Sequence, residues 1–244
     1  MSCLVVQHVE PEGPYAIGDA LVEAGVAVDV RAVHAGDPLP PDVADYEGLV
    51  VMGGPMSAVS DNGFATRTAE IGLLGDALAR GRPVLGVCLG AQLLALAAGG
   101  SVYPGAAGPE IGWAPVELTP DAGRDPLLAG LPRRLTVLHW HSDTFDPPAP
   151  AVLLAGNDRY RSQAFRCGAR AWGVQFHLEI DRPAVAAFLD AFGADAVGSG
   201  TTAEAVAAEA DRALSALAPH STLVLARFAA LVAAHDRLRL ADRA

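Results

Sequence analysis

The sequence predicts an α/β domain built on a mainly parallel open sheet with helices on both faces. Three observations point there. Short β-branched runs alternate with longer apolar-periodic ones through the first two-thirds of the chain, the pattern of parallel strands joined by helical crossovers. The run Pro83-Val84-Leu85-Gly86-Val87 is apolar throughout, as a strand buried on both faces must be. Half of the 244 residues are hydrophobic (51%), enough to bury a sizeable core without disulfides or a structural metal.

Residues 3–9 read as a first strand and 15–24 as a helix that ends at Gly25. Residues 26–33 form a second strand, and 47–52 a third that runs into Gly53-Gly54-Pro55. Residues 64–80 have helical spacing and stop at Gly81; 83–87 is the central strand. Residues 89–98 are helical and close on Gly99-Gly100. The stretch from 101 to 173 changes character, with short strands near 113–118, 135–140 and 164–166 that extend the sheet antiparallel. Residues 171–176 form another buried strand, followed by a helix from about Asp181.

Residues 1–195 are therefore assigned to the main domain and 196–244 to a C-terminal helical extension packed on it. In that tail Val206, Ala210, Leu214 and Leu217 recur at helical spacing, and Pro219 is expected to divide it into two helices. The amphipathic stripe predicts packing back onto the domain rather than docking of a partner.

The net charge of −11 argues against a nucleic-acid-binding surface. The chain has no lysine, which excludes a P-loop, a pyridoxal Schiff base and Ser–Lys catalysis. Cys3, Cys88 and Cys167 are odd in number and widely spaced, unlike a disulfide framework or a zinc knuckle. A reducing, cytoplasmic setting is the expectation. No basic region followed by an apolar stretch marks a signal peptide. No apolar run reads as long enough to span a bilayer, so no membrane association is expected.

Gly86-Val87-Cys88-Leu89-Gly90 is a cysteine version of the Gly-x-Ser-x-Gly nucleophile elbow. A buried strand turns abruptly into a helix, and small flanking residues let the backbone pass. The thiol stands at a helix N-terminus, where the helix dipole is expected to lower its pKa. The Leu89 N–H points into the same space and can hold an oxyanion. A free cysteine is usually one more buried apolar side chain, and Cys3 and Cys167 fit that reading. A nucleophilic cysteine also needs a base and an orienter for that base. In Gly173-Val174-Gln175-Phe176-His177-Leu178-Glu179, His177 follows a buried strand and Glu179 lies two residues on, on the same face of an extended chain.

Three segments in order, Gly53-Gly54-Pro55, Gly86 to Gln92 and Gly173 to Glu179, resemble the class I glutamine amidotransferases. The resemblance covers roughly residues 3 to 192 and implies a flavodoxin-like sheet. From Gly112-Trp113 through His139-Trp140-His141-Ser142-Asp143, the chain looks most like the amidotransferase part of guanylate synthetases and their stand-alone relatives. The resemblance implies that Cys88 attacks the glutamine side-chain carbonyl, His177 handles the protons and Glu179 orients His177. It further implies an oxyanion hole from the N–H groups of Gly54 and Leu89. Gln92, Trp140, His141 and Ser142 match positions that bind the amino-acid end of glutamine. The family usually has proline where this chain has Leu178, which bears on backbone stiffness near the base. No metal or organic cofactor is implied.

No ATP-using synthetase segment is visible in the sequence. Ammonia would then go to a separate ATP-dependent synthetase subunit. A second reading keeps the triad and changes the substrate to a γ-glutamyl peptide. A third is a binding module without activity, against which the intact Cys, His and Glu argue. His139-x-His141-x-Asp143 also superficially matches half of a metallohydrolase motif, but two histidines bind one metal only if further ligands converge. Thr144 stands where the fuller motif has histidine, so no metal site is expected. His8, His34, His220 and His235 read as ordinary surface or tail residues.

Overall fold

The five segments read as parallel strands pair side by side, and their order sets where a site can form. In this computed structural model, which describes residues 1–241 with side chains through residue 235, these are β1 (Ser2–Gln7), β2 (Ala27–Ala32), β3 (Gly48–Val51), β4 (Val84–Val87) and β11 (Ala171–Val174). They lie in the order β2-β1-β3-β4-β11, every neighbouring pair parallel. Cys3 to Val6 of β1 and all of β3 and β4 are buried, which explains their unbroken apolar sequences.

Helices α1 (Tyr15–Glu23), α2 (Arg67–Ala79), α3 (Leu89–Ala97), α4 (Arg182–Phe192) and α5 (Ala203–Ala241) complete the layers. One face of the sheet packs Val5, Val50 and Leu85 against Ile17 and Leu21 of α1 and Phe228 and Val232 of α5. The other packs Leu4, Leu49 and Val51 against Leu73 and Leu74 of α2 and Leu93 and Leu94 of α3. Alternating strand residues thus feed two separate cores. Asp181 caps α4 by accepting from Ala184 N at 2.8 Å.

Beyond β11 the sheet continues antiparallel through β10 (Ala164–Cys167), β9 (Val152–Gly156), β6 (Glu110–Leu118) and β7 (Arg134–His141). Among the described residues this makes a nine-stranded sheet. Three of these strands are expected from the sequence; β9 is not, nor is a small pair, β5 (Ser101–Pro104) with β8 (Asp143–Asp146). Ser-Val-Tyr-Pro and Asp-Thr-Phe-Asp are too short and polar for hydrophobic alternation to register.

The tail differs from expectation. Pro219 lies inside a single helix, α5, and does not divide it; residues 242–244 of the predicted tail lie outside the described residues. An interior proline costs a helix about 3 kcal/mol, and here the packing on both sides of it outweighs that cost. Val206, Ala210, Ala213 and Leu217 are buried before it; Val224, Leu225, Phe228, Ala229 and Val232 are buried after it. Polar ties reinforce the contact: Ser221 Oγ donates to Leu178 O, and Arg227 donates to Leu127 O and Ala129 O. By length and composition alone α5 is apolar enough to cross a membrane, contrary to the expectation of no such run, but its apolar stripe lies against α1, α4 and the sheet.

Phe228→Ala should destabilise the whole domain by about 3–5 kcal/mol in a single urea-unfolding transition followed by circular dichroism. Loss of α5 in a separate early transition, or a change below about 1 kcal/mol, would show that the helix is an appendage.

Candidate active site

The C-terminal ends of β1, β3, β4 and β11 converge, and open parallel sheets bind ligands at such strand ends. Cys88 leaves β4 with φ 51° and ψ −106° and starts α3 directly. A non-glycine residue there costs about 1–3 kcal/mol and persists only if its surroundings impose it. They do. A Cβ on Gly86 would lie 2.4 Å from Gly90 O, and one on Gly90 would lie 1.9 Å from Val51 O. The glycines let α3 pack against the strand ends, and that contact holds Cys88 in its turn.

His177 follows β11 and is fully buried. Its Nδ1 lies 2.7 Å from Glu179 Oε1. Leu178, at the position where proline is usual in the resembling family, supplies an N–H that proline lacks, and it donates to Glu179 Oε2 at 2.9 Å. The departure therefore adds a hydrogen bond that fixes the carboxylate. Ala16 N donates to Glu179 O at 3.1 Å, so the start of α1 holds the same segment from its other side.

Burial opposes a charge on His177, but the Glu179 carboxylate, followed by Cys88, outweighs it and holds its pKa well above the ordinary histidine value. Burial pushes the Cys88 thiol up, while His177 and the Leu89 N–H pull the other way without cancelling it. This corrects the expectation of a lowered pKa. A thiol only 5% exposed has little water to solvate its anion. Thiol and imidazole titrate as a pair; His177 Nε2 makes no hydrogen bond of regular geometry, yet the two groups interact strongly enough to shift each other.

A cleft of about 460 Å³ opens over Cys88, lined by Gly54, Leu89, Gln92, Trp140, His141, Ser142 and Glu12 among others. Every residue singled out in the sequence as oxyanion or substrate-binding thus borders one space. Gln92 Nε2 donates to Asp143 O at 3.3 Å and to Gln175 Oε1 at 3.2 Å, and Gln175 Nε2 approaches Cys88 Sγ at 3.5 Å. The His141 ring is held at both nitrogens, by Asp143 O at 3.0 Å and Glu110 Oε2 at 3.1 Å.

Besides Gln175, three neighbours of this site were not anticipated. His8 is buried, not on the surface as expected. Its Nδ1 donates to Gly53 O at 2.9 Å, and its Nε2 lies 2.7 Å from Glu70 Oε2. Burial works against a charge on His8, but Glu70 and the Gly53 carbonyl raise its pKa above the usual value. In a planar trans peptide the C=O and N–H point in opposite directions. Holding Gly53 O toward His8 therefore turns the Gly54 N–H away from it. The third neighbour, Glu12, sits in the β1–α1 loop, and a Cβ on Gly53 would lie 1.8 Å from its Oε2 and 3.2 Å from His177 Cε1. Burial lifts the Glu12 carboxyl to about 7, with His177 lowering it and Glu179 raising it. Only long-range packing, with Glu70 arriving from α2, reveals these residues; no local motif contains them.

A family model described as "Glutamine amidotransferase class-I" matches residues 14–192. The chain belongs to this family. The glutamine amidotransferase-like protein YfeJ of Salmonella typhimurium is 34% identical over 166 residues, 67% of this chain and 69% of YfeJ. The glutamine-hydrolyzing GMP synthase of Porphyromonas gingivalis is 36% identical over 151 residues, 61% of this chain but 28% of that enzyme; this chain thus spans under a third of that synthase. Gamma-glutamyl peptidase 5 of Arabidopsis thaliana is 26% identical over 163 residues, 66% of this chain and 64% of the peptidase. A glutamine amidotransferase structure from Thermotoga maritima superimposes with a TM-score of 0.84 at 29% identity, covering 94% of this chain and 98% of that one. The amidotransferase fold anticipated from the three motifs is the fold observed.

Glu12→Gln removes a carboxylate that disfavours the Cys88 thiolate. Below about pH 7 Glu12 is protonated, and variant and parent should be alkylated by iodoacetamide at equal rates. Above it the parent should lag, so the variant's pH midpoint falls. A midpoint that stays or rises would contradict the placement of Glu12.

Proposed function

We infer that this chain hydrolyses the side-chain amide of glutamine through a thioester on Cys88 and supplies the ammonia to a separate ATP-dependent synthetase subunit. The buried His177–Glu179 pair, 2.7 Å apart beside an elbow thiol, carries this reading. His177 takes the thiol proton, and the sulfur attacks the γ-carbonyl carbon. The tetrahedral oxyanion is held by the N–H groups of Gly54 and Leu89. His177 returns the proton to the nitrogen as the C–N bond breaks, releasing ammonia and leaving the thioester. Water, deprotonated by His177, then cleaves the thioester to glutamate and restores the thiol. Glu179 keeps His177 oriented and stabilises its charge. Gln92, Trp140, His141 and Ser142 shape the end of the cleft that takes the amino acid. No cofactor enters these steps, and three free thiols suit a reducing, cytoplasmic setting.

The cleft volume favours one second reading. About 460 Å³ lies in the range of about 300–1,000 Å³ that accommodates ligands larger than one amino acid. A γ-glutamyl peptide presents the same amide with a substituent on the leaving nitrogen, and the similarity to a γ-glutamyl peptidase supports it.

Ammonia release from glutamine should be detectable and disappear in Cys88→Ala. Glu179→Ala should retain more, falling about 10⁴-fold, because an orienting group is partly dispensable. Higher kcat/KM on γ-glutamyl dipeptides than on glutamine would shift the assignment to the peptidase reading. Wild-type turnover in Cys88→Ala would refute the mechanism.

A further inference from the structure

At the edge of the cleft, the paired strands β6 and β7 bring together three side chains, of which His141 alone also lines the cleft. Glu110 lies directly opposite His141, and His139 stands two residues before it, opposite Gly112. Residues i and i+2 of a strand share a face, so both imidazoles meet the Glu110 carboxylate. Their ligand-capable atoms all lie within 4.8 Å of one another, and all three residues are buried.

The hydrogen bonds around the group fix one tautomer of His141 and leave both His139 ring nitrogens without a regular hydrogen bond. Asp143 O can only accept, so His141 carries its proton on Nδ1, 3.0 Å away. In the neutral ring that leaves the Nε2 lone pair facing Glu110 Oε2 at 3.1 Å. His139 Nδ1 approaches the same oxygen at 3.5 Å, and neither of its ring nitrogens makes a hydrogen bond of regular geometry. The Gln163 amide oxygen beside them is also buried without a hydrogen bond. Three ligand-capable atoms thus meet around one point, and a single metal ion placed there would bond to all three.

The structure assigns Glu110, His139 and His141 as a binding site for one divalent first-row transition cation, with zinc the first to test. Metal–ligand bonds of about 2.0–2.2 Å in a tetrahedron put neighbouring ligand atoms roughly 3.3 Å apart, between the two separations seen here. Two imidazoles and one carboxylate suit zinc or its neighbours rather than calcium or magnesium. The outer partners also have the form metal sites use. His141 donates its other ring N–H to a backbone carbonyl. Asn157 and Gln163 each donate to Glu110 at 2.7 Å. The bound ion would pin β6 to β7 and so hold the segment from Trp140 to Asp143, whose carbonyls reach Cys88 Sγ at 3.6 Å and Gln92 at 3.3 Å. The sequence pointed away from a metal because it shows two histidines only; the third ligand arrives from the neighbouring strand.

The test uses the full chain carrying Cys88→Ala, which removes the thiol as a competing ligand. Chelator-stripped protein is titrated with Co²⁺ and then Zn²⁺. One equivalent of Co²⁺ should give the intense visible absorption of a tetrahedral site, Zn²⁺ should displace it, and Tm should rise with either ion. Glu110→Gln and His139→Asn should each weaken binding by more than the roughly 100-fold typical of losing an outer partner, while circular dichroism shows the fold intact. Absence of stoichiometric binding would overturn the assignment, as would affinity unchanged in both variants. So would an NMR spectrum showing His141 doubly protonated in the presence of zinc, since a proton would then occupy the place of the metal.

Discussion

The strand-to-helix turn at Cys88 is the constraint on which the rest of the molecule depends. A cysteine at φ 51° is held only because α3 comes back against the ends of β3 and β4 with no side chain between them. Gly86 and Gly90 create that contact, and any Cβ at either position would strike backbone atoms. The same contact places the first N–H of α3 beside the sulfur. Because β4 lies between β3 and β11, the Gly53-Gly54 loop arrives on one side and His177 on the other. Sheet order, more than any local motif, assembles the site.

Around this turn the buried polar groups form two hydrogen-bonded sets, one on each side. His8 and Glu70 orient the Gly53 peptide from one side. Glu179 holds His177, and is itself held by the Leu178 N–H. Ser221 of α5 bonds the Leu178 carbonyl, so the C-terminal helix supports the His177–Glu179 segment as well as covering the sheet. Such backing fixes the positions of the imidazole, the carboxylate and the Gly53 peptide around the thiol. Leu178 is in this light a substitute with its own hydrogen bond, not a loss of stiffness.

What was legible in the sequence follows from range. Cys88, Leu89, Gly54, His177 and Glu179 each belong to a short motif whose spacing carries its own structural meaning. Their strands read clearly because burial on both faces leaves a continuous apolar run. His8, Glu12, Glu70 and Gln175 were not legible as site residues, because only long-range pairing brings His8 to Gly53 and Gln175 to Cys88. Glu110 escaped for the same reason, since its meeting with His139 and His141 depends on the register of β6 against β7. Pro219 misled because a local rule was outweighed by burial on both sides of it. The thiol pKa was misjudged because the sequence shows the helix start but not how little water reaches the sulfur.

The most direct test of the account is covalent trapping at the elbow. A diazoketone analogue of glutamine, which alkylates a thiolate seated at the γ-carbonyl position, is incubated with the protein and the adduct is located by peptide mass spectrometry. One adduct is expected, on Cys88, slowed by excess glutamine and lost in His177→Ala. An adduct on Cys3 or Cys167, or a Cys88 that never reacts, would contradict it.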